Sequence, residues 1–139
     1  MPYHYLDLRE PMTTSVLLAD PQPLLRMGVA ALLDAQPDLR VVAEAAAVQQ
    51  IEAQCAHHRP DIVCVDIAML DPQPWDAIAA LRRGHAAPRV VVLTHRAGEE
   101  DIYRAISAGA NAYLLKDGPA DELLHGLRTV RQGGSYLPP

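Results

Sequence analysis

At 139 residues the chain is long enough for one domain with a substantial core and too short for two comfortable ones. Half of it is hydrophobic, yet Phe is absent and aromatics make up only 4%, so the core must come from Ala, Val, Leu and Ile, which suits helices layered on a sheet. A net charge of −5 excludes a chain that itself grips nucleic acid, since phosphate binding needs a basic stripe; no apolar stretch nears the roughly 18 residues of a membrane span, and two cysteines make no disulfide framework.

The N-terminus lacks a basic region followed by an apolar one, so the expectation is a soluble, unexported protein of the reducing cytoplasm. Residues 1–14 hold two prolines, scattered charge and no periodicity, and read as an irregular extension in which Met12 is an alternative start. The domain proper is expected over residues 15–134. Its first strand, Ser15 to Asp20, leads through Pro21-Gln22-Pro23 into a helix with Leu25, Val29, Leu32 and Leu33 at helical spacing. Proline fits a first helical turn and little else in a helix. Gln36-Pro37-Asp38 stops that helix, because the residue before proline is pushed out of the helical region. Val41 to Ala43 reads as a second strand, and Val48 to His58 as a helix carrying Ile51 and Cys55 on one side, broken by Arg59-Pro60.

The stretch Asp61-Ile-Val-Cys-Val-Asp66 is central. Four apolar residues without alternation read as a strand buried on both faces, the habit of parallel sheets, with Cys64 as a small apolar residue. Ligands of open α/β sheets collect outside the carboxyl ends of such strands, which is where Asp66 stands. A loop of turn formers, Ile67 to Pro74, precedes a helix from Trp75 to Arg83, and Gly84 and Pro88 bracket the next turn. The fourth strand, Arg89 to Leu93, is followed by a helix from Glu99 to Ala108 with acidic residues at its positive end and Gly109 as a left-handed cap. A fifth strand ends at Lys116. Asp117-Gly118-Pro119 then turns the chain into a last helix with Leu123, Leu124, Leu127 and Val130 as its apolar stripe, ended by Gly133-Gly134.

Five strand–helix pairs joined by short connections make an α/β unit of the (βα)5 kind, in which right-handed crossovers leave few topologies. If all strands are parallel, Asp20, Asp66, Thr94 and Lys116 meet at one sheet edge. Two neighbouring carboxylates need a cation between them, and Lys116 or a metal is the expected one. Taken singly, each residue has a plainer reading: Asp20 as a helix cap, Lys116 as a solvated lysine, Thr94 as a loop hydroxyl, Tyr113 as packing. His57 and His58 are adjacent and point apart on a helix, which speaks against zinc, and the glycine patterns of dinucleotide or P-loop sites are absent.

The fragments Leu-Leu-Ala-Asp20, Val-Asp66-Ile-Ala-Met69, Val-Val-Leu-Thr94 and Ala-Gly-Ala-Asn-Ala-Tyr-Leu-Leu-Lys-Asp117 resemble the receiver domain of two-component response regulators, in order and on the right elements. The closing Arg-Gln-Gly-Gly-Ser-Tyr-Leu-Pro resembles the LuxR/NarL-type subfamily, which continues into a helix-turn-helix. The resemblance implies a flavodoxin-like, CheY-like fold with strand order 2-1-3-4-5. It implies Asp66 as phosphoacceptor from a sensor histidine kinase, Lys116 and Thr94 as phosphate-binding partners, and Tyr113 as the aromatic that moves inward. Mg2+ would be held by Asp20, Asp66 and the backbone carbonyl of Ala68. Phosphoryl transfer is mostly positioning and charge stabilisation, and the added charge of roughly −1.5 to −2 drives the rearrangement.

Departures from the family pattern set the remaining expectations. Pro21 replaces the second acidic residue, Leu70 the usual proline, Pro74 the usual glycine, and His95 a small residue beside the switch threonine, where it is expected to crowd the entrance. Magnesium binding and phosphorylation of Asp66 are therefore expected to be weak, unless Asp71 folds back to compensate. One alternative is a pseudo-receiver acting by phosphorylation-independent dimerisation or ligand binding. The other is an aspartate-nucleophile phosphatase of the haloacid dehalogenase type; Ala68 fills the place of its second aspartate, so the chain is read as a non-enzyme. Residues 135–139 are expected to begin a linker to a C-terminal DNA-binding domain beyond Pro139. A homodimer is expected through the first or last helix, the latter offering Glu122, His125, Arg128 and Thr129 in a salt-sensitive contact.

Overall fold

The computed structural model describes residues 13–84 and 86–138. The expected irregular extension through Met12, and Pro139, lie outside the described residues. Among those described are β1 (Thr14–Ala19), α1 (Pro23–Asp34), β2 (Leu39–Ala45), α2 (Val48–His58), β3 (Ile62–Val65), a 3-10 turn (Ile67–Leu70), α3 (Pro74–Arg82), β4 (Arg89–Thr94), α4 (Glu99–Ala108), β5 (Ala112–Leu115) and α5 (Ala120–Arg131). All pairings are parallel, in the order β2-β1-β3-β4-β5. The fold is the expected flavodoxin-like one.

Alternation along the buried strands splits the core into two layers. Val16, Leu18, Ile62, Cys64, Val91 and Leu114 face Val29 and Leu33 of α1 and the Leu123, Leu124, Leu127, Val130 stripe of α5. Leu17, Ala19, Val63, Val65, Val90, Val92 and Tyr113 face Ile51 of α2, Ile78 of α3 and Ala105 of α4. This double coverage explains why the strands read as unbroken apolar runs.

Most boundaries lie within a residue or so of the sequence reading, and the larger differences have identifiable causes. β1 begins at Thr14, and β2 extends over Leu39–Ala45 because it pairs with β1 along its whole length, with one irregularity between Val16 and Leu17. The loop after Asp66 opens with a 3-10 turn, since the Asp66 carboxylate accepts the Ala68 N–H and caps it. Beyond α5, Tyr136 lies parallel to β5 opposite Ala112, donating its N–H to Asn111 and accepting that of Tyr113. Gly109 closes α4 in the left-handed region at φ 117, where a side chain would be strained.

Candidate functional site

The chain reverses its winding direction between β1 and β3, and this switch point builds the site. Ala19 pairs with Val65, so the next residues, Asp20 and Asp66, stand side by side at the carboxyl edge. Thr94 ends β4 and pairs with Leu115, and its carbonyl accepts the Lys116 N–H. Parallel pairing alone therefore brings together four residues up to 96 positions apart in the chain. Asp20, Asp66 and Thr94 are buried although polar, and the Lys116 side chain is 0% exposed.

Lys116 Nζ lies 2.7 Å from Asp66 Oδ2 and 2.8 Å from Asp20 Oδ2. It also donates to Gln22 Oε1 at 2.6 Å. An ammonium has three donors, so all three are spent. The other carboxylate oxygens are engaged as well: Asp20 Oδ1 accepts from the Gln22 N–H at 2.8 Å, and Asp66 Oδ1 from the Ala68 N–H at 3.0 Å. Asp20 does not cap α1, whose N-cap is Gln22 with no side-chain cap bond; its Oδ1 instead holds the Gln22 N–H in the turn before the helix. Arg26 anchors it from behind, donating to its carbonyl at 2.6 Å while pairing with Glu44.

Gln22 is the site residue that sequence reading missed. Its only signal was its place between two prolines, which limit the backbone of the segment carrying it.

Around the rim, Arg96 organises the remaining predicted residues. Its N–H donates to Thr94 Oγ1 at 3.3 Å, its carbonyl accepts from the Tyr113 hydroxyl at 2.7 Å, and its guanidinium grips Asp71 at 2.6 and 3.4 Å. Tyr113 is fully buried, so the ring expected to move inward is already inside. Burial, with Asp101 nearby, pushes its phenol up to about 12. Asp71 is spent on Arg96 at the surface rather than folded back toward the metal position. His95 is exposed.

Two carboxylates facing one ammonium leave an excess negative charge, and the donors present are the hard oxygens that Mg2+ takes. Asp20 and Asp66 bring such oxygens together, so the chemistry of these donors fits the ion; the Ala68 carbonyl, expected as a further ligand, accepts the Asp71 N–H at 3.4 Å. Among the described residues no group of three or more His, Cys, Asp or Glu side chains converges as a metal set.

Burial also pushes the Cys64 thiol, inside β3, up to about 12, with Asp20 adding to the effect, which makes it inert packing.

The fold is that of a receiver domain of the two-component kind, and comparison with known proteins agrees. Residues 16–128 match the response regulator receiver domain family. The response regulator VraR of Staphylococcus aureus is 29% identical over 128 residues, covering 92% of this chain and 61% of that protein. LiaR of Bacillus subtilis, a transcriptional regulatory protein, is 34% identical over 122 residues, covering 88% of this chain and 58% of LiaR. This chain thus spans about 60% of the length of these relatives. Among solved structures, the signal receiver domain of NarL from Mycobacterium tuberculosis superposes with a TM-score of 0.81 at 27% identity, covering 88% of this chain and 99% of that one. A LuxR-family response regulator from Aurantimonas gives 0.84 at 28% identity, covering 91% of both chains.

The chain belongs to the response regulator receiver domain family, and within it to the NarL/LuxR type. Its relatives are regulators rather than catalysts. No helix among the described residues is long and apolar enough to cross a membrane.

Proposed function

We propose that this receiver is an atypical one, in which Asp66 accepts a phosphoryl group from a sensor histidine kinase but does so slowly, because the site binds magnesium weakly. The observation that supports this reading is the saturation of Lys116 by Asp66, Asp20 and Gln22. For Lys116 to neutralise a phosphoryl group, at least one of those bonds must be given up. Thr94 must likewise turn its hydroxyl from Arg96 toward Asp66. Magnesium, when bound, neutralises charge on the transferring oxygens. Its direct carboxylates are limited to Asp20 and Asp66, whose four oxygens already hold partners. Pro21 supplies no replacement.

In the whole regulator, the output is DNA binding through a C-terminal domain, the setting is the cytoplasm, and a second copy docks on a helical face. The acidic receiver leaves DNA contact to that other domain.

The test is a magnesium titration followed by Trp75 fluorescence, with a phosphorylation time course from a small phosphodonor. A second carboxylate at position 21 adds a unit charge near the ion, and Pro21→Asp is expected to tighten magnesium by at least about tenfold and to speed phosphorylation. Submillimolar affinity in the native chain, not improved by Pro21→Asp, overturns the reading.

One observation favours a second reading, a pseudo-receiver whose output does not depend on phosphate: Tyr113 is already buried and tied to Arg96. Under that reading, Asp66→Asn leaves regulation intact in the cell.

A further inference from the structure

At the opposite edge of the sheet, where β1, β3 and β4 begin, lies a cleft of about 590 Å³ lined by Arg59, Arg82, Arg89 and Arg131 around Asp61. These arginines come from four places: the end of α2, the last turn of α3, the start of β4 and the last turn of α5. Helix C-termini favour cations, which accounts for a basic residue at each helix end but not for four arginines lining one cavity. Their charge is largely unspent. Arg82 donates to the carbonyls of Gly109 and Pro88 at 3.0 and 2.9 Å, neutral acceptors that fix its fork in place. Among the described residues the Arg89 guanidinium reaches the Arg131 carbonyl alone, at 3.5 Å. Arg131 approaches the carboxylate of Asp38 at 4.0 Å, and that carboxylate is held more closely by Arg128. Arg59 is exposed; its N–H donates to the Cys55 carbonyl at 2.8 Å as α2 ends, while its guanidinium has no hydrogen bond or ion pair among the described residues. The one carboxylate in the cleft, Asp61, has an oxygen that accepts both the N–H and the hydroxyl of Ser15.

The backbone is also unusual there. Arg59 and Ala86 are the non-glycine residues with left-handed φ among those described, at 46° and 59°, and both line this cleft. Such conformations cost free energy and collect at ligand sites more than elsewhere. In a chain of net charge −5 the general field repels anions, so four arginines lining one cavity form a local exception.

We propose that this cleft is an anion site for a compact oligophosphate, separate from the phosphoacceptor edge. Planar guanidinium forks match phosphate oxygens two at a time. The described lining residues include no aromatic ring on which a base could stack, so the cleft reads phosphate groups rather than a nucleoside.

Tripolyphosphate serves as the probe, titrated into the 139-residue chain by calorimetry and by amide chemical shifts. Saturable one-to-one binding is expected, with shifts centred on Asp61, Ile62 and Arg89 and not on Asp66 or Lys116, and affinity falling as salt rises. Arg59→Gly removes a guanidinium while placing in the left-handed position the residue that suits it best, so the fold is kept; Arg89→Gln removes another. Each is expected to weaken binding about tenfold. Shifts centred on Lys116, affinity unchanged in the Arg59→Gly, Arg89→Gln double variant, or no saturation at millimolar tripolyphosphate overturns the proposal.

Discussion

Lys116 illustrates how one side chain can stabilise a site and restrain it. Its ammonium is completely buried against two nearly buried carboxylates, at 3% and 6% exposure. Removing one partner of a buried ion pair leaves uncompensated charge and costs about 3–5 kcal/mol. Lys116→Met is therefore expected to lower unfolding free energy at neutral pH by about that amount, measured by urea denaturation. Added magnesium should recover more stability in this variant than in the native chain, because Asp20 and Asp66 are then two negative charges with no cation between them. A loss below about 1 kcal/mol would show that solvent reaches the pair far more than its burial implies. The meeting of Asp20, Asp66, Thr94 and Lys116 was legible in the sequence because each ends an apolar run, and parallel strands deliver run ends to one edge. Gln22 and the Arg96–Asp71 pair were not legible. They depend on side-chain rotamers across 94 and 25 residues of chain, which no periodicity encodes.

At the scale of elements, the segment after β4 is tied to β5 by the Tyr113 hydroxyl on the Arg96 carbonyl. The phenol titrates at about 12 in the fold, against an ordinary value of 10.0, chiefly because burial disfavours its anion. The folded state thus holds its proton longer than the unfolded one. The associated stability is fully present below pH 10 and is lost as pH rises from there through about 12. The gap is worth about 3 kcal/mol at most. Ultraviolet titration of the five tyrosines is expected to show one late phenol, absent in Tyr113→Phe, with alkaline unfolding of the native chain tracking its ionisation. A Tyr113→Phe chain that retains the late phenol would assign it elsewhere. The elements themselves were legible wherever pattern and punctuation agreed, as in α2 and α4. The length of β2 was not, because an edge strand with half-exposed residues takes its ends from pairing with β1 rather than from its own hydrophobicity.

At the scale of the molecule, the face expected to meet a second copy in the proposed dimer can be narrowed. The polar side of α5, expected to serve, is largely committed within the chain: Arg128 grips Asp38 and Gln36, Thr129 bonds the His125 carbonyl, and His125 stacks edge-on against Tyr136. On α1, by contrast, Leu24 and Met27 are 84% and 63% exposed one helical turn apart. Burying each gives roughly 1.5–3 kcal/mol, so two copies contribute roughly 6–12 kcal/mol from four side chains. Association costs roughly 4–15 kcal/mol. The balance predicts a dimer no better than weak, held by apolar contact, the reverse of the salt-sensitive contact read from α5. Sedimentation equilibrium is expected to give a dissociation constant in the high micromolar range or weaker, little changed between low and high salt. Leu24→Glu and Met27→Glu, both on an exposed face, should shift the chain to monomer without lowering its stability by more than about 0.5 kcal/mol. Dimerisation that collapses with added salt and ignores both substitutions would return the contact to charged residues elsewhere on the surface.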